Sequence, residues 1–444
     1  MNGANKLTSG TGAPSRPPPT PRAPRSRRRA IAAKVAAWTA VCLVAALTAG
    51  ALTAYEQYRH VWHSIKRVRV IGAVNLGVRP PVFSTTALNI LVIGSDSRSG
   101  RNARFGAGIL GQRSDTIMIL HVSPGRRRAT VLSIPRDSVV PVFGCPREHG
   151  FGGQLAAPGQ VEQINASFAF GGPGCLWKTV EQLTQIRLDH FVELNFTGFE
   201  KVINDIGGVS ICLPWSITDP LSGLRLAKGP QRIRGAQALA FWRVRYIGQG
   251  SDLERIQRDQ YLMASLVRGV SRTGLLGSPA RIYSVLTDAA SAMTTDSGLS
   301  PAIMIKVAES MRGLSVGAVQ FIQVPTVAYP PDTNWVQWAQ PQSRRLFTAI
   351  ARDHRLPRSP VRRAAARGRT TPALAAVQAR HRDQHYQPPA PAAFRAAAAR
   401  TAAARAAASA RSSAGGLTQI YGGITATANS CGDAAAFAGP DGHS

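Results

Sequence analysis

Hydrophobic side chains fall into three regimes along this chain. From Val35 to Ala54 (VAAWTAVCLVAALTAGALTA) they run without a single charge, close to the ~20 residues a helix needs to cross a bilayer. From Leu88 to about Asp353, short apolar runs rich in β-branched residues alternate with amphipathic ones. After His354 large apolar residues become rare and the chain turns to Ala, Arg and Pro. The first thirty or so residues, rich in Pro, Ser, Gly and Arg, likewise cannot bury enough surface to offset the entropy of ordering.

Within the middle regime, LNILVIG, TIMILHV and ATVLSIP read as buried strands. HFVELNF (His190–Phe196), GVSICLP (Gly208–Pro214) and AVQFIQVP (Ala318–Pro325) read as further ones. Helical spacing marks TVEQLTQI (Thr179–Ile186), GFEKVINDI (Gly198–Ile206), GAQALAFWR (Gly235–Arg243) and LERIQRDQYLMASLVRGV (Leu253–Val270). Strands alternating with helices predict an α/β fold: a layered α-β-α domain with a central sheet, helices on both faces. The expected order is a disordered basic tail (1–34), a transmembrane helix (35–54), a connector with a strand near VRVIGAV (55–87), the folded α/β domain (88–353) and a disordered Ala/Arg/Pro-rich tail (354–444).

Arg25, Arg27, Arg28, Arg29 and Lys34 precede the apolar span, which predicts that this side is cytoplasmic and the domain extracytoplasmic. Arg59, Lys66, Arg67 and Arg69 weaken the asymmetry without reversing it. A cleaved signal peptide is the competing reading, but the apolar stretch exceeds the usual ~7–15-residue signal core. The expectation is a single-pass cell-membrane protein.

The chain has 444 residues and a net charge of +30, from 53 Lys and Arg against 23 Asp and Glu. Such a balance suits anionic partners, although much of the excess lies in the tails. No helix-turn-helix or zinc pattern accompanies it, and the anchor would hold the domain away from nucleic acid, so no nucleic-acid partner is expected. Cys145, Cys175 and Cys212 can supply one disulfide outside the membrane or remain buried thiols; Cys42 lies in the apolar span and Cys431 in the tail. The histidines of the domain, among them His121 and His190, form no HxxxH or HExxH pattern and read as surface or strand-end residues. Ser133 and Ser138 lack the GxSxG elbow of a serine hydrolase.

The chemistry concentrates in four segments: NILVIGSDSRSG, GQRSDTIMILHVSP, VLSIPRDSVV and FWRVRYIGQGSDLERIQRDQ. They place Asp96, Asp115, Asp137 and Asp252 beside Arg98, Arg113, Arg136, Arg243, Arg245, Arg255 and Arg258. Carboxylates hold hard divalent cations, and guanidinium forks match phosphate oxygens. The set therefore reads as a place where a metal and a di- or polyphosphate meet. An extended FWRVRY would put Arg243 and Arg245 on one face. Helical spacing would bring Asp252 to Arg255 and Arg255 to Asp259.

Taken together, GSDSR, RSDT, SIPRD, INASFAFGGPG, GGVSICLP and RVRY…SDLERIQRDQ resemble the LytR–CpsA–Psr family of membrane-anchored cell-wall phosphotransferases. The resemblance implies transfer of a glycopolymer, with one phosphate, from a polyprenyl-pyrophosphate carrier to peptidoglycan. It implies Asp96 and Asp115 as ligands of Mg²⁺, with Mn²⁺ an alternative. It also implies Arg98, Arg113, Arg136, Arg243, Arg245, Arg255, Arg258 and Gln260 at the pyrophosphate, with Arg136, Arg243, Arg245 and Asp137 closest to the reaction; Asp137 could instead orient Arg136. Two positions depart from the family's usual pattern: Asp259 stands where many members have Gln, and Gln163 where many have Lys. Other readings of the same residues are an extracytoplasmic pyrophosphatase that passes the phosphate to water, and a non-enzymatic wall-polymer binding protein working through its basic tail. Trp242, beside Arg243, could stack on a sugar.

Overall fold

The computed structural model describes residues 25–71, 76–96, 114–143, 160–213, 216–219, 222–244, 252–356 and 423–425. The chain divides into two compact units, Met1–His60 and Val61–Ser444. Helix α1 (Arg25–Ser64) begins in the first, and its last residues belong to the second. It is longer than the apolar span at both ends, reaching back into the segment expected to be disordered and forward into the expected connector. Along it Ile31, Trp38, Val41, Leu43, Val44, Leu47 and Leu52 are all exposed. A helix that is apolar on every side suits a lipid environment better than water.

The second unit opens with β1 (Lys66–Val68), β2 (Leu88–Ser95), β3 (Ser114–Val122), β4 (Ala129–Ile134), β5 (Val139–Val142) and β6 (Gln160–Gln163). Helix α2 (Ile164–Thr184), β7 (His190–Asn195) and α3 (Phe196–Asp205) follow, then β8 (Val209–Leu213), β9 (Ile217–Asp219), β10 (Leu224–Leu226) and β11 (Gly229–Ile233). Next come α4 (Gly235–Arg243), α5 (Asp252–Arg272), α6 (Pro279–Ala290), β12 (Met293–Asp296) and α7 (Pro301–Ser310). The order closes with β13 (Val319–Gln323), β14 (Thr326–Tyr329), β15 (Asp332–Trp338), α8 (Gln342–Ala351) and β16 (Gly423–Thr425).

An eight-stranded mixed sheet in the order β1-β12-β7-β2-β3-β4-β13-β16 forms the centre. Because side chains alternate along a strand, each central strand feeds two cores. Leu91, Ile93, Ile117, Ile119 and Leu132 pack against Phe168, Trp177 and Val180 of α2 and Leu346, Phe347 and Ile350 of α8. Ile90, Val92, Leu120 and Val131 face the other way, against Met263, Ala264 and Val267 of α5 and Val307 of α7. This is the layered α/β arrangement with helices on both faces.

Three local results differ from the sequence reading. The INASFAFGGPG segment lies inside α2, which starts well before Thr179 and is kinked where Gly172 takes φ 66°; glycine alone adopts that backbone at no steric cost. Arg243 ends α4 rather than standing in an extended segment. Gly423–Thr425, within the stretch expected to be unstructured, pairs antiparallel with β13.

Inside the sheet's first core, the fully buried carboxylate of Glu181 accepts from Arg79 Nη2 at 2.8 Å, Trp177 Nε1 at 3.0 Å and the Leu188 amide at 3.1 Å. A buried charge with this many donors is tolerated, whereas an unpaired one is strongly destabilising. Cys175 and Cys212 are both disulfide-bonded. Cys42 is a free thiol, and Cys145 and Cys431 lie outside the described residues.

Candidate active site

A cavity of about 750 Å³ opens where β2, β4 and β7 end and β3 begins. Ligands of layered α/β domains gather at the carboxyl ends of strands, where the loops leave the sheet. Part of its lining is polar or charged: Asp96, Asp115, Arg136, Asp137, Gln163, Asn165 and Arg243. Part is apolar: Leu194, Phe196, Phe199 and Val202 around α3, Leu239 and Trp242 of α4, and Met263 and Leu266 of α5.

The backbone explains how the charged groups reach one another. Gly94 pairs with Thr116, and Ser95 with Ser114, so Asp115 is an extra residue in the β2–β3 ladder. A bulge of this kind interrupts the alternation and re-aims side chains; here Asp115 and its neighbour Thr116 both line the cavity. Gly94 suits the position opposite, since a Cβ there would stand 3.0 Å from Thr116 Cβ and force that side chain to shift.

Arg136 follows β4 and is fixed from several sides. Its Nη1 donates to Asp115 Oδ1, and its Nε donates to Asp137 Oδ2 at 3.3 Å. Asp137 also accepts from Gln163 Nε2 at 3.4 Å. The loop itself is tied to the start of α2: the Ile164 amide donates to the Ser138 carbonyl at 2.8 Å and the Asn165 amide to the Arg136 carbonyl at 3.3 Å. Burial works against the charge on Arg136, and the carboxylates of Asp115 and Asp137 outweigh it, so its pKa is raised. Asp137 thus orients Arg136, and the departure at Gln163 serves that carboxylate.

Arg243 reaches the cavity from the last turn of α4, with its guanidinium 5.0 Å from the centre of the Phe196 ring. Asn195 caps α3, its Oδ1 accepting from the Gly198 amide at 3.0 Å, and this turn carries Phe196 and Phe199 to the apolar wall. Trp242 meets Phe199 edge-on, ring centres 4.9 Å apart, so it is part of that wall.

Other expected site residues are placed differently. Arg258 is 4 % exposed, is absent from the cavity lining, and donates from Nη2 to the Val244 carbonyl at 2.5 Å, just past the end of α4. Gln260 is buried on α5 and its amide nitrogen meets no partner among the described residues. Neither residue is among those that line the cavity. Asp259 lines a smaller space beside Asp115, Ser133, Arg136 and Asp137. Arg98, Arg113 and Arg245 lie outside the described residues, and Arg255 lies on α5 with its side chain and its expected contacts to Asp252 and Asp259 outside the description. The sequence reading missed the apolar wall. Its one signal was the i, i+3, i+4 spacing of Phe199, Val202 and Ile203, which marks a core face equally well.

No group of three or more His, Cys, Asp or Glu side chains fit to hold a metal occurs among the described residues. Asp96 and Asp115 share one cavity, and Mg²⁺ commonly takes one or two carboxylates and completes its shell with phosphate oxygens and water. Both are carboxylates, the donor type such an ion takes.

Comparison with known proteins agrees with this architecture. Residues 56–351 match the family described as LytR_cpsA_psr family. The chain belongs to that family. It is 32% identical over 275 residues to the probable cell wall biosynthesis protein LcpB of Corynebacterium glutamicum, a match covering 61% of this chain and 62% of that one. It is 27% identical over 248 residues to the polyisoprenyl-teichoic acid–peptidoglycan teichoic acid transferase TagU of Bacillus cereus, covering 55% and 74%. Among solved structures, protein gbs0355 of Streptococcus agalactiae aligns with a TM-score of 0.50 at 18% identity, covering 62% of this chain and 90% of that one, a likeness of fold. The chain thus spans about three-fifths of the LcpB sequence and, by the same measure, 54% of LcpA from the same organism.

Proposed function

We propose that this LytR–CpsA–Psr protein is a membrane-anchored phosphotransferase that moves a glycopolymer, with one phosphate, from a polyprenyl-pyrophosphate carrier to a hydroxyl of peptidoglycan. One observation carries the reading: a single cavity is lined both by charged side chains, among them Asp115, Arg136 and Arg243, and by apolar ones, among them Phe199, Trp242 and Leu266. A lipid pyrophosphate has that same division, an anionic head on a long hydrocarbon chain. The names of relatives such as TagU, which couple a polyisoprenyl-linked polymer to peptidoglycan, point the same way.

In this reading the acceptor oxygen forms a bond to the polymer-linked phosphorus while the bond from that phosphorus to the bridging oxygen breaks. The polyprenyl phosphate leaves with the bond's electron pair, and the acceptor's proton passes to solvent or a nearby base. Arg136 and Arg243 present guanidinium groups where negative charge gathers on the phosphates, and such preorganised donors lower the barrier most in a site shielded from water. Asp137 and Gln163 hold Arg136 in place. Asp96 and Asp115 would hold Mg²⁺, which supplies charge neutralisation at the phosphate oxygens. Leu239, Trp242 and Met263 would receive the start of the hydrocarbon chain. The apolar part of α1 would cross the membrane, with the basic N-terminal side in the cytoplasm.

The test is reconstitution of the full chain in vesicles with a radiolabelled lipid-linked glycopolymer and purified peptidoglycan. The expected products are label covalently on peptidoglycan and polyprenyl monophosphate in equal amounts. Release of label only as free polymer would replace transfer by hydrolysis.

A further inference from the structure

Asp219 ends β9 and lines the same cavity as Arg136 and Arg243. β9 and β10 pair antiparallel, with Ile217 opposite Leu226 and Asp219 opposite Leu224. Alternation along the strands puts these four side chains on one face. Ile217, Leu224 and Leu226 pack with Ala238 and Phe241 of α4 in one core. Asp219 is therefore a carboxylate on an otherwise apolar face, and it is only 6 % exposed. The same packing ties the hairpin to the helix that ends in Arg243.

One of its two oxygens is used locally. Oδ2 accepts from the Ser222 hydroxyl at 2.5 Å and from the Ser222 amide at 3.2 Å, closing a turn as Asp side chains commonly do. Neither bond involves Oδ1, and no ion pair among the described residues includes Asp219. Oδ1 is also not sealed from solvent, and the cavity is open space beside it. A carboxylate oxygen accepts hydrogen bonds and donates none, and it repels the oxygens of a phosphate. In a cavity that takes a pyrophosphate, such a group opposes binding unless it meets a hydroxyl. The sugar joined to the pyrophosphate of a lipid-linked glycopolymer carries hydroxyls and enters with the phosphate it is bonded to.

We propose that Asp219 is a sugar-recognition residue: its Oδ1 accepts a hydroxyl of the sugar joined to the donor's pyrophosphate, so the cavity distinguishes a lipid pyrophosphate that carries carbohydrate from one that does not. Asp219 has this role only if the cavity takes a lipid pyrophosphate, as proposed above. A site that spends a buried polar group on a substrate hydroxyl discriminates strongly against the ligand lacking it, because the group is then left unpaired. Here the discrimination has a second source, since a bare pyrophosphate meets the carboxylate with nothing to offer it but negative charge. Ser222 holds Oδ2 and so fixes the direction of the other oxygen.

The test is calorimetric binding to the full chain in detergent, without acceptor, of two ligands: geranylgeranyl pyrophosphate, and the same lipid with a single N-acetylglucosamine on its terminal phosphate. The wild type should bind the sugar-bearing ligand more tightly. Asp219→Ala should weaken that ligand about tenfold or more, as loss of a charge-assisted hydrogen bond implies, while binding the bare pyrophosphate at least as tightly as the wild type does. Asp219→Asn, whose amide oxygen can still close the Ser222 turn, should show the same pattern to a smaller degree with an unchanged melting temperature, and it decides the matter if the Ala variant does not fold. Equal weakening of both ligands would make Asp219 a structural cap of the hairpin and overturn the proposal. Unchanged binding of the sugar-bearing ligand in both variants would overturn it too, whether the carboxylate serves the acceptor or no ligand at all. In either case a wild type that binds the bare pyrophosphate leaves the lipid-donor reading standing, whereas a wild type that binds neither ligand overturns that reading and the role of Asp219 together.

Discussion

Arg136 and Asp115 form an ion pair between the loop after β4 and the bulge of β3, and Asp137 holds the same guanidinium through Nε at 3.3 Å. One arginine thus spans two carboxylates, one from the β3 bulge and one beside it in the loop after β4. The planar fork makes this possible; an ammonium group offers a point charge without that geometry.

Arg136→Lys should therefore lower polymer transfer about tenfold or more, as expected for loss of ~1.4 kcal/mol of transition-state stabilisation. Because the pair is partly exposed, the melting temperature should change little. Steady-state transfer measured beside thermal unfolding checks both; wild-type transfer by the Lys variant would reduce Arg136 to general electrostatics.

Asp96→Asn and Asp115→Asn should each weaken binding of a divalent cation in the presence of pyrophosphate. Mn²⁺ followed by electron paramagnetic resonance gives a readout independent of turnover. The expected result is at least a tenfold weaker Kd for each variant, since a carboxylate supplies both charge and ligand. Unchanged Mn²⁺ binding in both would remove these residues from the metal site.

Trp242→Ala should raise KM for a long-chain lipid donor more than for a short-chain one. Removing an aromatic side chain from an apolar wall costs on the order of 3 kcal/mol in a packed core and less in an open cavity, so a five- to thirtyfold preference is expected. Equal effects on both donors would place the hydrocarbon chain elsewhere.

His121 should contribute to the pH dependence of stability. It is buried, with Nδ1 2.7 Å from Asn89 Oδ1 and Nε2 3.1 Å from Asp353 Oδ1, while Arg128 Nη2 meets Asp353 Oδ2 at 2.9 Å. Burial lowers its pKa below 6.5, more than the Asp353 carboxylate raises it. The folded state then binds the proton less readily than the unfolded chain, so the stabilisation is present above 6.5 and is lost as pH falls through the lowered value. The melting temperature should drop between pH 8 and pH 5, and His121→Gln should flatten that drop. An identical pH profile in the variant would assign the effect to other groups.

The sequence by itself determined the elements whose periodicity is strong and local. Helix α4 runs over the segment read as helical, Gly235–Arg243, and β2, β3, β4 and β7 lie within a residue or two of their apolar runs. The motifs that carry the family resemblance also needed no structure, because their spacing within short segments is itself the signal. Tertiary structure alone decided which of those charges meet. The bulge that turns Asp115 toward Arg136 depends on pairing with Gly94 and Ser95, some twenty residues earlier in the chain. The hydrogen bond from Arg258 to the Val244 carbonyl depends on how α5 packs against α4. The apolar wall combines α3, α4 and α5, and each of its residues looks like core in its own helix. Periodicity reports which face of an element is buried, but contact between distant elements depends on register and crossing geometry, which no single segment encodes.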